Sequence, residues 1–234
     1  RWRVQSYPET AKAVALDETR AVALADGLAD ATFTVRSVED KPYRSSPKAP
    51  FMTSTLQQEG GRKLRLSSSQ VMRVAQGLYE RGYITYMRTD NVVLSDEAMQ
   101  AARAAVTSEY GANYLNAAPK QYSSKVKNAQ EAHEAIRPTT PYRSPQSLSS
   151  ELNSQELALY RLIWNRTVAS QMANARLDKT AVDFRVDADG RDLTFRSNGS
   201  IVTFPGFLRV YGDRDRDSLL PELAAGMRVG TGVA

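Results

Sequence analysis

The sequence predicts an α+β fold in which a helical domain is inserted into a β-rich one. Three observations carry that prediction. "TFTVRSV" (Thr32 to Val38) alternates as a strand does, with Phe33 and Val35 on one face. From Phe51 to about Met172 the apolar residues recur at helical spacing. After Ala173 the alternation returns in "TAVDFRV", with Val182, Phe184 and Val186 on one face. The chain therefore leaves a β-rich domain and comes back to it. The prolines near residue 50 and the break near residue 174 mark the crossings. The expected boundaries are 1–49 for the first part of the β-rich domain and 50–173 for the helical one. Residues 174–204 hold the returning strands, and 205–234 begin an adjoining domain or continue the β-rich one.

Each element has its own signal. "RWRVQSY" reads as a strand, and Glu18 to Leu28 is alanine-rich and helix-prone. Lys41 to Pro50 carries three prolines and two serines and reads as an extended connector. "TSTLQQEGGRK" is helix-prone and is expected to stop at Gly60-Gly61. "SSSQVMRVAQGLYERG" offers serine caps, then Val71, Val74, Ala75 and Leu78 on one face, then Gly82 as a stop. A further helix starts at Ser95, with Asp96 and Glu97 where the helix dipole favours them and Met99, Ala102 and Val106 as its buried stripe. The strongest helical pattern places Leu157, Tyr160, Trp164 and Val168 on one stripe. Asp189-Gly190 reads as a tight turn, and Asn198-Gly199 as a second hairpin. "GDRDRD" reads as a charged surface turn.

Composition narrows the function classes. The 234 residues suffice for one large domain or two small ones, and the 41% hydrophobic content is ordinary for a chain with a core. Cysteine is absent, which excludes disulfides and thiolate-bound zinc and fits a reducing compartment. No apolar run is long enough to span a bilayer, and no signal peptide is visible, so no membrane partner is expected. The net charge of +5 and pI near 9.4 favour an anionic partner, nucleic acid being the commonest. The chain opens without methionine and reads as a piece of a longer protein.

Three stretches carry candidate chemistry. In "GYITYMRTD" (Gly82 to Asp90), an extended backbone would put Tyr86, Arg88 and Asp90 on one face. Packing aromatics in a short strand are the plain alternative. A phenol, a guanidinium and a carboxylate make a poor apolar face, however. A phenol ordinarily ionises near pH 10, and a neighbouring arginine favours its anion while offering planar donors to phosphate. Phenolate leaves more readily than an alkoxide, so a phosphotyrosine can be reversed by the freed hydroxyl. In "KNAQEAHEAIRPTTP", His133 is the chain's one histidine and Arg137 follows four residues later. On a helix they would share a face. A capping or core histidine is the plain reading, and phosphate contact the functional one. The stretch lacks the second histidine of a zinc-protease motif. In "APFMTSTLQQEG", Thr53, Ser54, Thr55 and Gln57 either cap a helix or donate to a nucleic-acid backbone. The basic run Arg62, Lys63 and Arg65 that follows reads as a solvated face.

Together, in order and spacing, "APFMTSTLQQEG", "LYERGYITYMRTD" and "NAQEAHEAIRPT" resemble the catalytic region of the type IA DNA topoisomerases, nearest to the bacterial topoisomerase I group and its actinobacterial members. "LYRLIWNRTVASQM" resembles the helix that closes that region. The resemblance implies that Tyr86 is the nucleophile for a 5′-phosphate and that Arg88 stabilises the scissile phosphate. It implies that His133 lies near the phosphate, and that Glu80, Asp90 and Arg137 support the site. It implies a helical catalytic domain set in a β-rich arch that opens as a gate for single-stranded DNA. Asn91 departs from the serine usual in the family. The Toprim domain, whose acidic cluster binds magnesium, has no counterpart in this sequence, nor do the C-terminal DNA-binding repeats. On this reading the Mg2+ and those domains belong to the rest of the same polypeptide, which works in the cytoplasm at the nucleoid. A single-stranded DNA-binding module without catalysis is the rival from another class. A tyrosine recombinase would need further catalytic arginines and histidine, which the sequence does not offer.

Overall fold

The computed structural model describes residues 3–6, 16–123, 134–188, 191–212 and 217–230. The chain forms two compact units. One combines 1–44, 176–204 and 215–234, and the other combines 45–175 with 205–214. The expected α+β class, with a helical unit interrupting a β-rich one, is what the chain adopts.

The β-rich unit is a five-stranded sheet. Its strands are β1 (Arg3–Ser6), β2 (Thr32–Ser45), β3 (Ala175–Ala188), β4 (Arg191–Phe204) and β5 (Arg228–Gly230), in the order β1-β4-β3-β2-β5. The β1–β4, β3–β4 and β2–β5 pairs are antiparallel. Val182, Phe184 and Val186 point to one face, as alternation requires, and are buried with Val35, Leu193 and Phe195. Phe184 lies directly opposite Phe195, whose ring meets Phe33 edge-on at 5.5 Å. Helix α1 (Glu18–Gly27) is capped by Asp17, whose carboxylate accepts the Arg20 N–H at 2.9 Å. Leu24 and the following Leu28 pack onto the same core.

Two expectations fail in this unit. Asn198-Gly199 is no hairpin: it lies inside β4, opposite Ala181 and Thr180. A Cβ on Gly199 would sit 2.8 Å from the Ser218 carbonyl oxygen, so the glycine serves close backbone approach rather than a turn. Lys41 to Pro50 is not all connector, because β2 runs on to Ser45. Pro42 lies in the part of β2 beyond the Thr32 to Thr34 stretch that pairs with β5. The Asp189-Gly190 turn and most of "GDRDRD" lie outside the described residues.

The helical unit holds α2 (Thr53–Leu64), α3 (Ser68–Glu80), α4 (Asp96–Tyr110) and α5 (Ser154–Ser170). Ser67, Ser95 and Asn153 cap α3, α4 and α5 through their side chains. Helix α5 is central. From Leu159 to Ser170 it is buried nearly all round, and it packs against α2, α3 and α4. Its Arg166 lies 4.4 Å above the Phe51 ring and 3.7 Å from the Glu59 carboxylate. Burial opposes ionisation of Glu59, but the hydrogen bond from Arg62 and the charge of Arg166 outweigh it and hold the carboxyl below its usual range. Part of the basic run is therefore tied down rather than free. Helix α2 also contradicts its expected stop. It passes through Gly60-Gly61 to Leu64 and ends on Arg65 in the left-handed conformation, φ 59°.

Candidate active site

The three stretches that carry candidate chemistry meet in the helical unit. Helix α3 ends where Gly82 takes φ 76°, with its N–H on the Tyr79 carbonyl at 2.8 Å. The chain then enters "ITYMRTD", which is irregular rather than a strand. Its backbone is held from two directions. The Thr85 N–H donates to the Arg137 carbonyl at 2.9 Å, and the Thr139 N–H donates to the Tyr83 carbonyl at 3.1 Å. The Ile136 N–H donates to the Phe51 carbonyl at 2.8 Å, joining the third stretch.

Threonine hydroxyls complete the frame. Thr85 Oγ1 donates to the Ala135 carbonyl at 2.7 Å and accepts the Arg137 N–H at 3.0 Å. At the start of α2, the Thr53 N–H donates to the Thr89 carbonyl at 2.9 Å. Thr53 Oγ1 donates to the Met87 carbonyl at 2.8 Å and accepts the Thr89 N–H at 2.9 Å. Ile84 and Met87, each 1% exposed, peg the segment into the core. The pattern from Tyr86 is exposed, buried, exposed, buried, half-buried. Tyr86 and Arg88 thus face outward between two anchored residues.

The sequence-predicted residues divide by this geometry. Tyr86 is 41% exposed, and its ring meets that of Tyr79 edge-on, 5.2 Å between centroids and 65° between planes. Arg88 is exposed, and among the described residues no carboxylate pairs with it. Asp90 is half-buried beside them. Glu80 ends α3 on the surface and accepts from Gln76 Nε2 at 2.6 Å. Ser54 is exposed and Gln57 half-buried on α2. Thr53 spends its hydroxyl inside the protein, as a fastening for the tyrosine segment. Thr55 Oγ1 accepts the Met52 N–H at 3.1 Å, a helix-start role. The departure at Asn91 is absorbed locally: its Oδ1 accepts the Val93 N–H at 2.9 Å in a side-chain turn. His133 lies outside the described residues.

Arg137 is not poised toward solvent. It is buried, on a non-helical segment, and gives two hydrogen bonds to Glu134 Oε2 and one to the Pro138 carbonyl at 3.0 Å. Burial of Glu134 opposes its charge, but the Ser95 hydrogen bond and the Arg137 guanidinium prevail and lower its pKa. Sequence reasoning missed Glu134, Thr85 and Thr89 as members of the frame. The available signal was "T-Y-M-R-T", where threonines flank exposed polar residues at alternate positions. A second network holds the same turn from outside. Arg81 donates to both Glu156 oxygens at 3.0 Å and to the Glu151 carbonyl at 2.9 Å, while the Tyr83 hydroxyl donates to Glu151 Oε2 at 2.9 Å. Among the described residues no group of three or more acidic, histidine or cysteine side chains could hold a metal ion.

A family model described as DNA topoisomerase matches residues 4–233. DNA topoisomerase 1 of Mycolicibacterium smegmatis is 51% identical over 228 residues, covering 92% of this chain and 24% of that protein. DNA topoisomerase 1 of Streptomyces coelicolor is 51% identical over 229 residues, covering 93% of this chain and 24% of that protein. The chain thus spans about a quarter of the length of these curated relatives. The solved full-length topoisomerase I of Thermotoga maritima superposes with a TM-score of 0.72 at 29% identity, over 98% of this chain and 38% of that one. Matched along nearly its whole length, with its three motif stretches bonded into one frame, the chain belongs to the bacterial type IA DNA topoisomerase family.

Proposed function

We propose that this chain carries the DNA-cleaving tyrosine of its polypeptide and that Tyr86 is that residue. The phenolic oxygen attacks the phosphorus of a single-stranded DNA linkage. A Tyr86 O–P bond forms to the 5′-phosphate as the P–O3′ bond breaks. The phenol gives up its proton, and the departing 3′ oxygen takes one up as a hydroxyl. After another strand has passed, the 3′ oxygen attacks the phosphotyrosine and restores the linkage, so the bond energy is kept and no ATP is spent. In the complete polypeptide this cycle relaxes negative supercoils.

The roles follow from chemistry. Arg88 offers its fixed charge and planar donors to the phosphate, where negative charge grows in the transition state. Asp90, Glu80, Ser54, Gln57 and His133 are assigned supporting or DNA-contacting roles. Arg137 supports from beneath, through Glu134 and the frame. The observation that carries the reading is the convergence of "TSTLQQEG", "GYITYMRTD" and "EAIRPT" in one hydrogen-bonded frame that leaves Tyr86 and Arg88 facing outward. The described residues do not fit a magnesium site, so the ion implied by the resemblance is assigned to another part of the polypeptide.

The test is a trapping experiment on the complete polypeptide that carries this segment. It is incubated with single-stranded DNA labelled at one end and denatured. The reading expects 3′-labelled DNA to stay with protein and 5′-labelled product to run free with a 3′-hydroxyl. Adduct on the opposite end would point to recombinase-like polarity and defeat the reading. Salt-sensitive binding without any adduct would instead favour a DNA-binding module.

A further inference from the structure

Arg88 is exposed on an irregular segment, so no helix or strand ladder fixes the main chain from which its side chain starts. One residue does so instead. The Met87 carbonyl belongs to the peptide bond before Arg88, and the Thr89 N–H to the one after it. Thr53 Oγ1 donates to that carbonyl at 2.8 Å and accepts that N–H at 2.9 Å. The single hydroxyl proton is shared with the Thr89 carbonyl at 3.0 Å, which also accepts the Thr53 N–H at 2.9 Å. Thr53 thus brackets Arg88 from both peptide bonds, while Met87 at 1% and Thr89 at 7% exposure are seated inward on either side.

Helix α2 gives this bracket its footing. Thr53 is its first residue, and Leu56 and Gly60 are its buried positions. The first N–H groups of a helix have no partner within it, and that of Thr53 is satisfied by the Arg88 segment. The N-cap position falls to Met52, so the Thr53 hydroxyl is spent across the fold rather than on its own helix. Valine has the same shape as threonine, so packing alone does not call for a hydroxyl there. We infer that Thr53 is a positioning residue for Arg88, its hydroxyl setting the point from which the guanidinium reaches the scissile phosphate. The inference rests on Arg88 being the phosphate-contacting arginine proposed above. Removing the hydroxyl leaves the Thr89 N–H and the Met87 carbonyl without that partner and lets the segment shift. A displacement of about an ångström at a reacting centre costs up to about 10²-fold in rate.

The experiment uses the complete polypeptide and single-turnover cleavage of a labelled single strand at saturating DNA, so that affinity drops out. Thermal melting sets a working temperature at which every variant is folded. Thr53→Val and Thr53→Ala remove the hydroxyl and should slow adduct formation about ten- to a hundredfold. Using both guards against one of them folding poorly. Thr53→Ser keeps the hydroxyl and should cleave within about twofold of the unsubstituted rate. Gly60→Ala controls for stability. It crowds Val71, whose Cγ2 lies 2.6 Å from the added Cβ, about two turns further along α2, and should cleave at the unsubstituted rate. In an Arg88→Ala background, Thr53→Val should add less than about threefold, because the residue it positions is gone. Unsubstituted rates in Thr53→Val and Thr53→Ala would overturn the positioning role. So would an equal loss in Thr53→Ser or in Gly60→Ala, and so would a full multiplicative loss in the Arg88→Ala background. If Arg88→Ala alone cleaves at the unsubstituted rate, the Arg88 assignment itself fails. If Arg88→Ala is slow and Thr53→Val is not, that assignment stands and the positioning role falls alone.

Discussion

Arg88 and Arg137 come from different motifs and sit in different surroundings. Arg88 is exposed, so Arg88→Ala should leave the melting temperature unchanged. If Arg88 meets the phosphate, the same change should lower the cleavage rate by about 10²- to 10³-fold. Arg137 is buried in hydrogen bonds to Glu134. Arg137→Ala should destabilise the helical unit by about 1.5–3 kcal/mol in denaturant unfolding. The pair also sets a pH dependence. Folding lowers the Glu134 carboxyl below its ordinary value of 4.5, so its contribution is complete above that value and is lost as the pH falls through the lower folded one. Unfolding measured across that range should show the loss in the unsubstituted protein and a flatter profile in Glu134→Gln. The outward placement of Tyr86 and Arg88 was legible in the sequence, because a phenol and a guanidinium two residues apart make no apolar core face. The role of Arg137 was not: Glu134 is only three residues before it, but the frame that holds them is reached through Thr85, 52 positions earlier.

At the scale of elements, glycines mark where sequence and structure part. Gly60-Gly61 looked like a helix end, because glycine is a poor helix former. In the fold, Gly60 lets α3 approach α2. A Cβ there would lie 2.6 Å from Val71 Cγ2. Gly60→Ala should therefore destabilise by about 1–3 kcal/mol through overpacking, despite alanine's better propensity. A cycle with Val71→Ala should be less than additive, because the smaller partner relieves the clash. Strict additivity would place the effect elsewhere. Asn198-Gly199 misled for a related reason. Its turn chemistry is local, whereas the approach of Ser218 that calls for a glycine comes from a distant part of the chain. The caps on Ser67 and Ser95 were more legible, being short-range hydrogen bonds that their own sequence specifies.

Across the whole molecule, the change of hydrophobic period near both crossings made the α+β class readable. The assignment of 205–214 to the helical unit and of β5 to the sheet depends on long-range packing, which no local pattern announces. The chain spans 24% of its curated relatives, and no metal-holding group occurs among the described residues. The isolated segment is accordingly expected not to relax supercoiled plasmid in magnesium at the rate of the complete polypeptide. Gel assays of the two at equal concentration check this. Locating the covalent bond meets the Tyr86 proposal more directly. Complete polypeptide denatured on single-stranded DNA, digested with protease and nuclease and mapped by mass spectrometry, should yield one nucleotide-bearing peptide, modified at Tyr86. The same protocol on Tyr86→Phe should yield none. An adduct on another residue, or equal adduct from both proteins, would contradict the account.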